Sequence, residues 1–504
     1  EEREQQLREH LKKVKAGFAD EELERVKETF KELREFQETE DAKEDLEKIP
    51  LLERSDLKKE APEFVIEERK IDNTRFLYHN LFTNGIGYLR LIFTLNDIPK
   101  EYFPYIGILR GCLGLLDTEH YRYGDLYNEI NLVTGGMVPV NNVYPNANDP
   151  DRFVVTLELK TKVFYENIQK AVDLMKEIIF TSNFADTKRL LEILAEGKSR
   201  MQAQMLSGGH MVAASRAIAY GSVSATVSEE ISGVPFYRLV ADIEEHFDER
   251  KNDLIDKLTT LAKMIFRKEN LLIDFVGEEK ALDGLTKAVS SLESGLYTNP
   301  VKKEEYRPRI AKTNEGFMTS SQIQYVCRAG NFRRNGLEYK GSLKVLKVML
   351  GYEYLWVNVR VKGGAYGCMC SFSKNGESYF VSYRDPHLKN TLQIFDDAAD
   401  AIANYKADER TITQYIIGAI SDLDIPLTPP MKGLRALSAY MTGLTSQMVQ
   451  RERDEILGTT AEDIRSLSEY IKAFMADDFL CVVGNANKIK ENKECFGKIE
   501  NLFA

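Results

Sequence analysis

The first 45 residues carry apolar side chains at helical spacing in a background of Glu, Lys, Gln and Arg. Two series are separated by a short break: Leu7, Leu11, Val14 and Phe18, then Leu23, Val26, Phe30 and Leu33. This period predicts two amphipathic helices that run antiparallel, with Asp20 capping the second. A dimerising coiled coil and a strut between two larger bodies both fit the pattern, and the small apolar mass favours the strut.

A different pattern begins after Pro50 and Pro62, where apolar and polar residues alternate. Three short alternating runs between Phe64 and Leu95 predict strands, and a mixture of helix and strand patterns continues to about residue 290. Residues 297–313 then have linker composition and little periodicity. The pattern therefore predicts a second globular body from about residue 315 to the end.

The two predicted bodies repeat the same order of parts. In each body a pair of glycines precedes an apolar strand, an amphipathic helix and a final apolar strand. The glycine pairs are Gly135-Gly136 and Gly363-Gly364, and the final strands are residues 271–277 and 479–484. An internal duplication of an α+β domain explains this repetition.

Composition narrows the class of protein. A chain of 504 residues with 43% hydrophobic content has enough material for two or three globular units. Its net charge of −11 disfavours nucleic acid as a partner, and no apolar run approaches the roughly 20 residues of a membrane helix. The six cysteines lack CxxC spacing, which favours a reducing compartment, either a bacterial cytoplasm or an organelle matrix. Because the chain begins at Glu1 inside helical sequence, we expect it to be part of something longer.

Two segments of the second body, taken together with the hairpin and the repeated bodies, have counterparts in a known protein family. With the hairpin and the paired bodies, RVKGGAYG at 360–367 and SYRDP at 382–386 resemble the C-terminal half of presequence proteases. These enzymes are the falcilysin-like branch, subfamily C, of the M16 metallopeptidases that include insulinase and pitrilysin, and the resemblance extends over the whole chain. It implies an α+β fold with a helical hairpin linker at 1–62, M16 domain three at 63–297, a linker at 298–314 and M16 domain four at 315–504.

The zinc motif of this family is absent from the sequence. In the family, the N-terminal half carries HxxEH, in which two His bind the metal and Glu activates water. None of the six histidines here has a second His four residues on. The segment that would match the zinc helix offers only Ile108, Gly111 and Cys112. The resemblance therefore implies that zinc is bound by the N-terminal half, that this chain binds no metal, and that alone it is inactive.

The resemblance assigns the remaining chemistry to Arg360 and Tyr366. In the family, an Arg and a Tyr of domain four reach across a closed chamber to the scissile peptide, and these two residues match that pair in type and spacing. Their hydrogen bonds to a developing oxyanion would stabilise the transition state more than the ground state. Gly363 and Gly364 would let the substrate approach the backbone closely. Taken without the resemblance, the two residues would be interpreted as a solvated charge at a strand end and an ordinary strand aromatic.

The expected function is therefore that of the C-terminal half of a zinc metalloendopeptidase, paired with the N-terminal half of the same protein and acting on short unstructured peptides. The alternative is a non-catalytic M16-like subunit that binds peptides or holds an assembly together.

Smaller motifs have structural interpretations. Asp385-Pro386 predicts the N-cap and first-turn proline of a helix that runs through Ile402. The segment 382–386 is therefore expected to have a structural role, with contact to a peptide as the minor alternative. Cys368 and Cys370 alternate along a predicted strand and are expected to pack on the same side. Each isolated His is expected to be a surface or packing residue.

Overall fold

Alternating apolar residues build two six-stranded sheets in the region that follows the helical hairpin. The computed structural model describes residues 2–39, 41–46 and 48–504. These residues form two compact units, 1–53 and 54–504, and both sheets lie in the larger unit. The α+β class expected from the sequence is confirmed.

The first body contains the sheet with strand order β1-β2-β6-β3-β5-β4. Its strands are β1 (Glu67–Ile71), β2 (Thr74–Asn80), β3 (Ile86–Thr94), β4 (Met137–Pro145), β5 (Phe153–Phe164) and β6 (Leu271–Gly277). Its helices are α4 (Ile106–Cys112), α5 (Tyr123–Val133), α6 (Ile168–Phe180), α7 (Thr187–Ser207), α8 (Gly209–Ala219), α9 (Val223–Ser232), α10 (Val234–Glu245), α11 (Phe247–Ile265) and α12 (Leu282–Glu293). The three strands predicted between residues 64 and 95 are confirmed as β1, β2 and β3.

The second body contains the sheet with strand order β12-β7-β11-β8-β10-β9. Its strands are β7 (Glu315–Thr319), β8 (Gln324–Asn331), β9 (Gly367–Phe372), β10 (Glu377–Tyr383), β11 (Phe479–Asn485) and β12 (Lys498–Asn501). Its α-helices are α13 (Ser342–Met349), α14 (Lys389–Asp396), α15 (Ala398–Ala403), α16 (Glu409–Leu423), α17 (Pro429–Thr442), α18 (Ser446–Leu457), α19 (Ala461–Ser466), α20 (Ser468–Met475) and α21 (Ala486–Glu491).

The two sheets share one topology except at a single outer strand. Strands β7, β8, β9, β10 and β11 occupy the positions of β2, β3, β4, β5 and β6. The outermost position is filled from opposite ends of the repeat, because β1 precedes its sheet in the chain whereas β12 follows it. As a result β1 pairs antiparallel with β2, and β12 pairs parallel with β7.

The smaller unit contains the predicted hairpin helices, α1 (Glu2–Ala16) and α2 (Asp20–Glu38), followed by α3 (Lys43–Leu46). Asp20 is not the N-cap that the sequence predicts. Ala19 occupies that position, and Asp20 is the first helical residue, where a carboxylate suits the positive helix end. Most apolar side chains of both helices are exposed, with Leu11 at 56% and Phe30 at 67%, so the two helices bury little of their apolar faces against each other. The strut and the coiled coil both stay predictions.

Each body contributes one helix that covers the sheet of the other. Helix α8 of the first body packs on β8, β10 and β11, and helix α17 of the second body packs on β4, β5 and β6. Glycines at the two contacts allow the close approach, because a Cβ at Gly209 would clash with Tyr325 and a Cβ at Gly433 would clash with Val276. The exchange explains why β6 is buried along its whole length.

A buried ion network fixes α8 to the second sheet. Arg216 on α8 donates to Glu315 on β7 at 2.6 Å and lies 3.4 Å from Glu229 on α9. Tyr220 donates to the same Glu315 carboxylate at 2.8 Å. Both glutamate side chains are 4% exposed. Burial alone would lower the pKa of Arg216, but the two carboxylates raise it, so the guanidinium stays charged inside the protein.

The segment between the two bodies has no helix or strand over residues 298–314. It is attached to the first body, because Tyr306 donates to Glu230 at 2.8 Å and Arg267 donates to the Asn299 carbonyl at 2.7 Å. The domain boundaries at 62, 297 and 314 stay predictions. Within the described ranges, the chain has no helix long and apolar enough to cross a membrane.

Replacing Arg216 with alanine tests the buried network. Removing one partner of a buried ion pair leaves the other charges desolvated, so we expect a loss of about 3–5 kcal/mol in the free energy of unfolding. Urea unfolding followed by circular dichroism measures this loss. Arg307→Ala is the matched control, because that arginine is 59% exposed and pairs with exposed Glu305, and its effect should stay within about 0.5 kcal/mol. Equal effects of the two variants would contradict a structural role for the network.

His79 on β2 forms a second buried pair, with Asp274 on β6. Its Nδ1 atom is 2.6 Å from the Val65 carbonyl oxygen and its Nε2 atom is 2.7 Å from Asp274. Both neighbours are acceptors, so both ring nitrogens must donate, which only the protonated imidazole does. Burial and nearby Arg90 oppose this protonation, but Asp274 and the Val65 carbonyl raise the pKa of His79 overall.

The stability of the protein should therefore depend on pH through His79. A pKa that is raised on folding gives a stabilisation that is complete below the unfolded value of about 6.5 and is lost as the pH rises through the folded pKa. We expect the difference in unfolding free energy between the parent chain and His79→Gln to shrink as the pH rises above about 6.5, with a slope of at most about 1.4 kcal/mol per pH unit. Urea titrations at several pH values measure it, and a difference that does not change with pH would contradict a charged His79.

Candidate functional site

The predicted site begins with an unusual helix. After α13 the chain continues as two π-helical segments, Leu350–Tyr354 and Trp356–Lys362, before it reaches the glycine pair. A π-helix adds a residue per turn, is rare, and recurs at functional sites. In the first body, α5 leads to its own glycine pair as an ordinary α-helix. The distortion is therefore specific to the copy that carries Arg360.

The glycine pair turns the chain from this helix into the edge strand β9. The Gly364 and Ala365 amides donate back to the carbonyls of Arg360 and Val359, at 2.8 and 3.1 Å. Gly364 has φ +79, a left-handed conformation that a side chain would strain. The turn ends at Tyr366, whose amide donates to the Tyr383 carbonyl at 3.0 Å. Tyr366 is thereby fixed at the start of β9.

The structure brings Arg360 and Tyr366 to one cavity of about 670 Å³. The Arg360 guanidinium lies 3.8 Å from the centroid of the Trp356 ring and 5.8 Å from that of Tyr366. The Tyr366 ring packs edge-on against Tyr383, with centroids 5.8 Å apart, and its side chain is 66% exposed. Gly364 also lines the cavity, whereas Gly363 closes the π-helical segment next to it.

The cavity is positively charged. Arg360 and Arg384 line it, and no acidic side chain of the described residues does. Neither Arg360 nor Arg384 forms an ion pair with a carboxylate of the described residues. Asp385, next to Arg384 in sequence, is engaged elsewhere, because its carboxylate accepts from the Thr391 hydroxyl at 2.6 Å and the His387 amide at 2.8 Å. Two uncompensated guanidinium groups at one cavity favour a ligand that carries negative charge or develops it.

Sequence reasoning did not assign Trp356 or His210 to this site, and it gave Tyr383 and Arg384 of the SYRDP motif mainly a structural role. Trp356 supports the Arg360 guanidinium, and Arg384 adds the second cation from a backbone with φ +50, which is strained for a residue with a side chain. Tyr383 supports Tyr366 from one side and contacts His210 of α8 from the other, with centroids 4.8 Å apart. The spacing of Trp356 and Arg360, four residues apart, was a usable signal because residues at that spacing are neighbours on a helix.

His210 of the first body contacts Tyr383, the residue that supports the Tyr366 ring. Its Nδ1 atom is buried and has no hydrogen-bond partner in the described part of the chain, and burial lowers its pKa. The neutral ring packs on Tyr383 and Tyr325. This agrees with the packing role expected for the isolated histidines, although the contact also links the two bodies at the cavity.

Asp385 is not the N-cap that the sequence predicts. Helix α14 begins at Lys389 with Leu388 as its cap, and a break separates it from α15, which contains Ile402. The backbone of Asp385 instead extends the sheet through two hydrogen bonds with Gln324, at 2.7 and 2.8 Å. The SYRDP motif therefore closes the end of β10 beside the cavity. Cys368 and Cys370 lie on the same strand, β9, and pack towards the core as predicted.

The residues on α4 do not fit a zinc site. Cys112 is fully buried, and burial raises the pKa of its thiol to about 12, which disfavours the thiolate that a metal requires. Ile108 and Gly111 offer no ligand atoms in their side chains. In the described ranges, no group of three or more His, Cys, Asp or Glu side chains could hold a metal ion.

Two family profiles match the chain. The profile of the region associated with peptidase M16 subfamily C matches residues 1–243, and the PreP C-terminal domain matches residues 314–486. Among curated proteins, HypA of Clostridium perfringens is 36% identical over 99% of this chain and 51% of its own length. Presequence protease 1 of Arabidopsis thaliana, chloroplastic/mitochondrial, is 28% identical over 95% of this chain and 44% of its own length. The chain spans about half the length of the curated relatives it matches.

Solved structures share the fold at low sequence identity. A peptidase M16 inactive domain from Pseudomonas fluorescens is 14% identical, with a TM-score of 0.58 over 83% of this chain and 97% of its own. A protease from Helicobacter pylori is 11% identical, with a TM-score of 0.56 over 84% of this chain and 99% of its own. These likenesses show that the chain shares its fold with both structures.

The single tryptophan of the chain makes the site directly observable. Because the Arg360 guanidinium covers one face of Trp356, Arg360→Ala should expose the indole, shift its emission to longer wavelength and increase quenching by acrylamide. Selective excitation of the indole measures both effects without a label. Arg309→Ala, an exposed arginine outside the site, is the control. Identical spectra for the parent chain and Arg360→Ala would contradict the stacked geometry.

Proposed function

This chain belongs to subfamily C of the M16 peptidases, and we propose that it acts as the C-terminal half of a zinc metalloendopeptidase that degrades short, unstructured peptides. The observation that carries the proposal is the convergence of Arg360 and Tyr366 on one cavity, to which the described residues contribute no acidic side chain. The matches to presequence proteases along most of the chain support the peptidase assignment.

Within this proposal, Arg360 and Tyr366 act on the carbonyl oxygen of the scissile peptide bond. That oxygen gains negative charge as the tetrahedral intermediate forms, so donors aimed at it stabilise the transition state more than the ground state. Arg360 supplies a charged donor held flat by Trp356, and Tyr366 supplies a neutral hydroxyl held by Tyr383. Preorganised donors do not have to reorient during the reaction, which is why their support by aromatic rings matters.

The glycine pair gives the substrate access to the backbone. Gly364 lines the cavity and has no side chain to obstruct an extended peptide. The adjacent strand β9 pairs only with β10 among the described strands, so its other edge is open to pair with a peptide strand. Gly363 and Gly364 are accordingly the proposed substrate-binding residues of this chain.

The remaining parts of the proposal come from the relatives. The N-terminal half of the same protein is the proposed partner and the proposed holder of zinc, because no group of the described residues of this chain fits a metal ion. The two halves would enclose the peptide in a closed chamber, and the protein would act in a bacterial cytoplasm or an organelle matrix. Neither a nucleic acid nor a membrane is a proposed partner.

Reconstitution tests the catalytic assignment. A quenched fluorescent peptide is incubated with zinc and this chain alone, the N-terminal half alone, or both halves together. We expect cleavage only by the mixture, and a fall in kcat of about 10²–10³-fold for Arg360→Ala and for Tyr366→Phe, which is the usual cost of removing one oxyanion donor. Arg309→Ala is the matched control and should cleave at the parent rate.

The outcomes separate the two functions. Zinc-dependent cleavage by this chain alone would contradict the proposal, and so would variants that cleave at the parent rate in a folded complex. A complex that binds the peptide, detected through Trp356 emission, but never cleaves it would instead establish a non-catalytic peptide-binding subunit.

A further inference from the structure

A second cavity, of about 590 Å³, lies in the first body among α4, α5, α7, α10 and β4. Most of its lining is apolar and includes Ile130, Met137, Phe236 and Val240. It is separate from the candidate catalytic site, whose cavity is lined by residues of the second body alone. Nothing in the proposed function uses it.

Arg110 on α4 lines this cavity without an ion-pair partner among the described residues, although one carboxylate, that of Glu196, also lines the cavity. Within the described ranges no carboxylate lies at ion-pair distance from its guanidinium, and burial together with nearby Arg200 lowers its pKa. Arg200 on α7, the other cation of the lining, is itself held 3.7 Å from Glu196. Arg110 is partly buried and has no partner, and the lining carries two arginines against one carboxylate, so the cavity favours an anionic ligand.

Space for that ligand is built into the helices. Gly197 lies inside the long helix α7, where glycine costs about 1 kcal/mol relative to alanine. A Cβ at Gly197 would meet nothing within 4 Å, and the same holds for Gly111 on α4. Close packing therefore does not explain either glycine. Both residues line the cavity, and their missing side chains enlarge it.

The edge strand β4 indicates what kind of molecule fits. Residues Gly136 to Pro139 line the cavity, and β4 pairs only with β5 among the described strands of its sheet. An extended peptide could pair with such an edge while its terminal group enters the cavity. A ligand that matches this lining has an apolar group next to a negative charge. The C-terminal residue of a peptide has both when its side chain is apolar.

We propose that this cavity binds the C-terminal carboxylate of an extended peptide whose last residue is apolar, with Arg110 as the counter-ion. The choice of a peptide rests on the proposed function, whereas the anionic group follows from the cavity itself. The site would hold the end of a substrate or a released product at a distance from the catalytic residues.

Binding to the full chain tests the proposal. The probes are a fluorescein-labelled hexapeptide ending in leucine with a free carboxylate, the same peptide with an amide end, and laurate as a competitor. Fluorescence anisotropy should show at least tenfold tighter binding of the carboxylate than of the amide. Arg110→Met should remove that preference, and Arg309→Met should keep it. Gly197→Leu, which fills the cavity from a helix that favours leucine, should weaken binding of both peptides.

A stability readout separates ligand binding from a structural role. Because Arg110 is uncompensated, Arg110→Met should unfold at the same temperature as the parent chain or higher when no ligand is present. A lower Tm would indicate that the arginine stabilises the fold and would overturn the proposal. Equal affinity for carboxylate and amide, or unchanged binding of both peptides by Gly197→Leu, would overturn it as well.

Two further comparisons identify the class of the anionic ligand and separate failure of this proposal from failure of the proposed function. Binding of laurate with no binding of the carboxylate peptide would overturn the peptide assignment. Arg360→Ala weakens any binding of the peptide at the catalytic cavity, so the preference for carboxylate over amide that depends on Arg110 should persist in this variant. Retained binding together with failed reconstitution would therefore contradict only the proposed function.

Discussion

The contact between Arg216 and Glu315 is the interaction on which the arrangement of the two bodies depends. It places a cation from the first body beside a carboxylate at the start of the second sheet, at 2.6 Å and with little solvent access. A buried charge tolerates few alternative positions, because any shift that separates the partners leaves both desolvated. Apolar contacts around α8 supply most of the attraction, since they bury area without regard to register. The ion network then selects one register of α8 on the sheet.

That register has consequences for the candidate site. Arg216 and His210 lie on the same helix, so fixing the first places the second against Tyr383. Tyr383 in turn supports the ring of Tyr366 and accepts its amide hydrogen. The proposed oxyanion donor is thus positioned through a short chain of contacts that starts in the other body. This explains why a peptidase half of this kind would keep two tightly joined domains although its proposed catalytic residues come from only one.

The sequence predicted what depends on local pattern and missed what depends on the packing of distant segments. Strands β1 to β3 followed from alternation, and the pairing of Arg360 with Tyr366 followed from the family motif around the glycine pair. The π-helical segments could not be predicted from the sequence, because π- and α-helices are built from the same residue types and differ only in which carbonyl each amide reaches. Arg384 was overlooked because SYRDP also fits a helix cap, and only the sheet bond from Asp385 to Gln324 rules that out. The exchange of α8 and α17 joins segments far apart in sequence, so no window of residues reports it.

The two bodies share a sheet topology but differ in how the arginines next to their glycine pairs are paired. Next to the glycine pair of the first body, Arg90 lies 3.3 Å from Glu158 and 3.6 Å from Asp274, so its charge is compensated within the protein. Next to the second pair, Arg360 and Arg384 face a cavity that none of the described acidic side chains lines. A compensated arginine stabilises a fold and has little left to offer a ligand, whereas an uncompensated one lowers stability until a ligand supplies the charge. Around these two equivalent turns, the pairing state of Arg90 and of Arg360, more than the fold around them, therefore determines how much positive charge is left for a ligand.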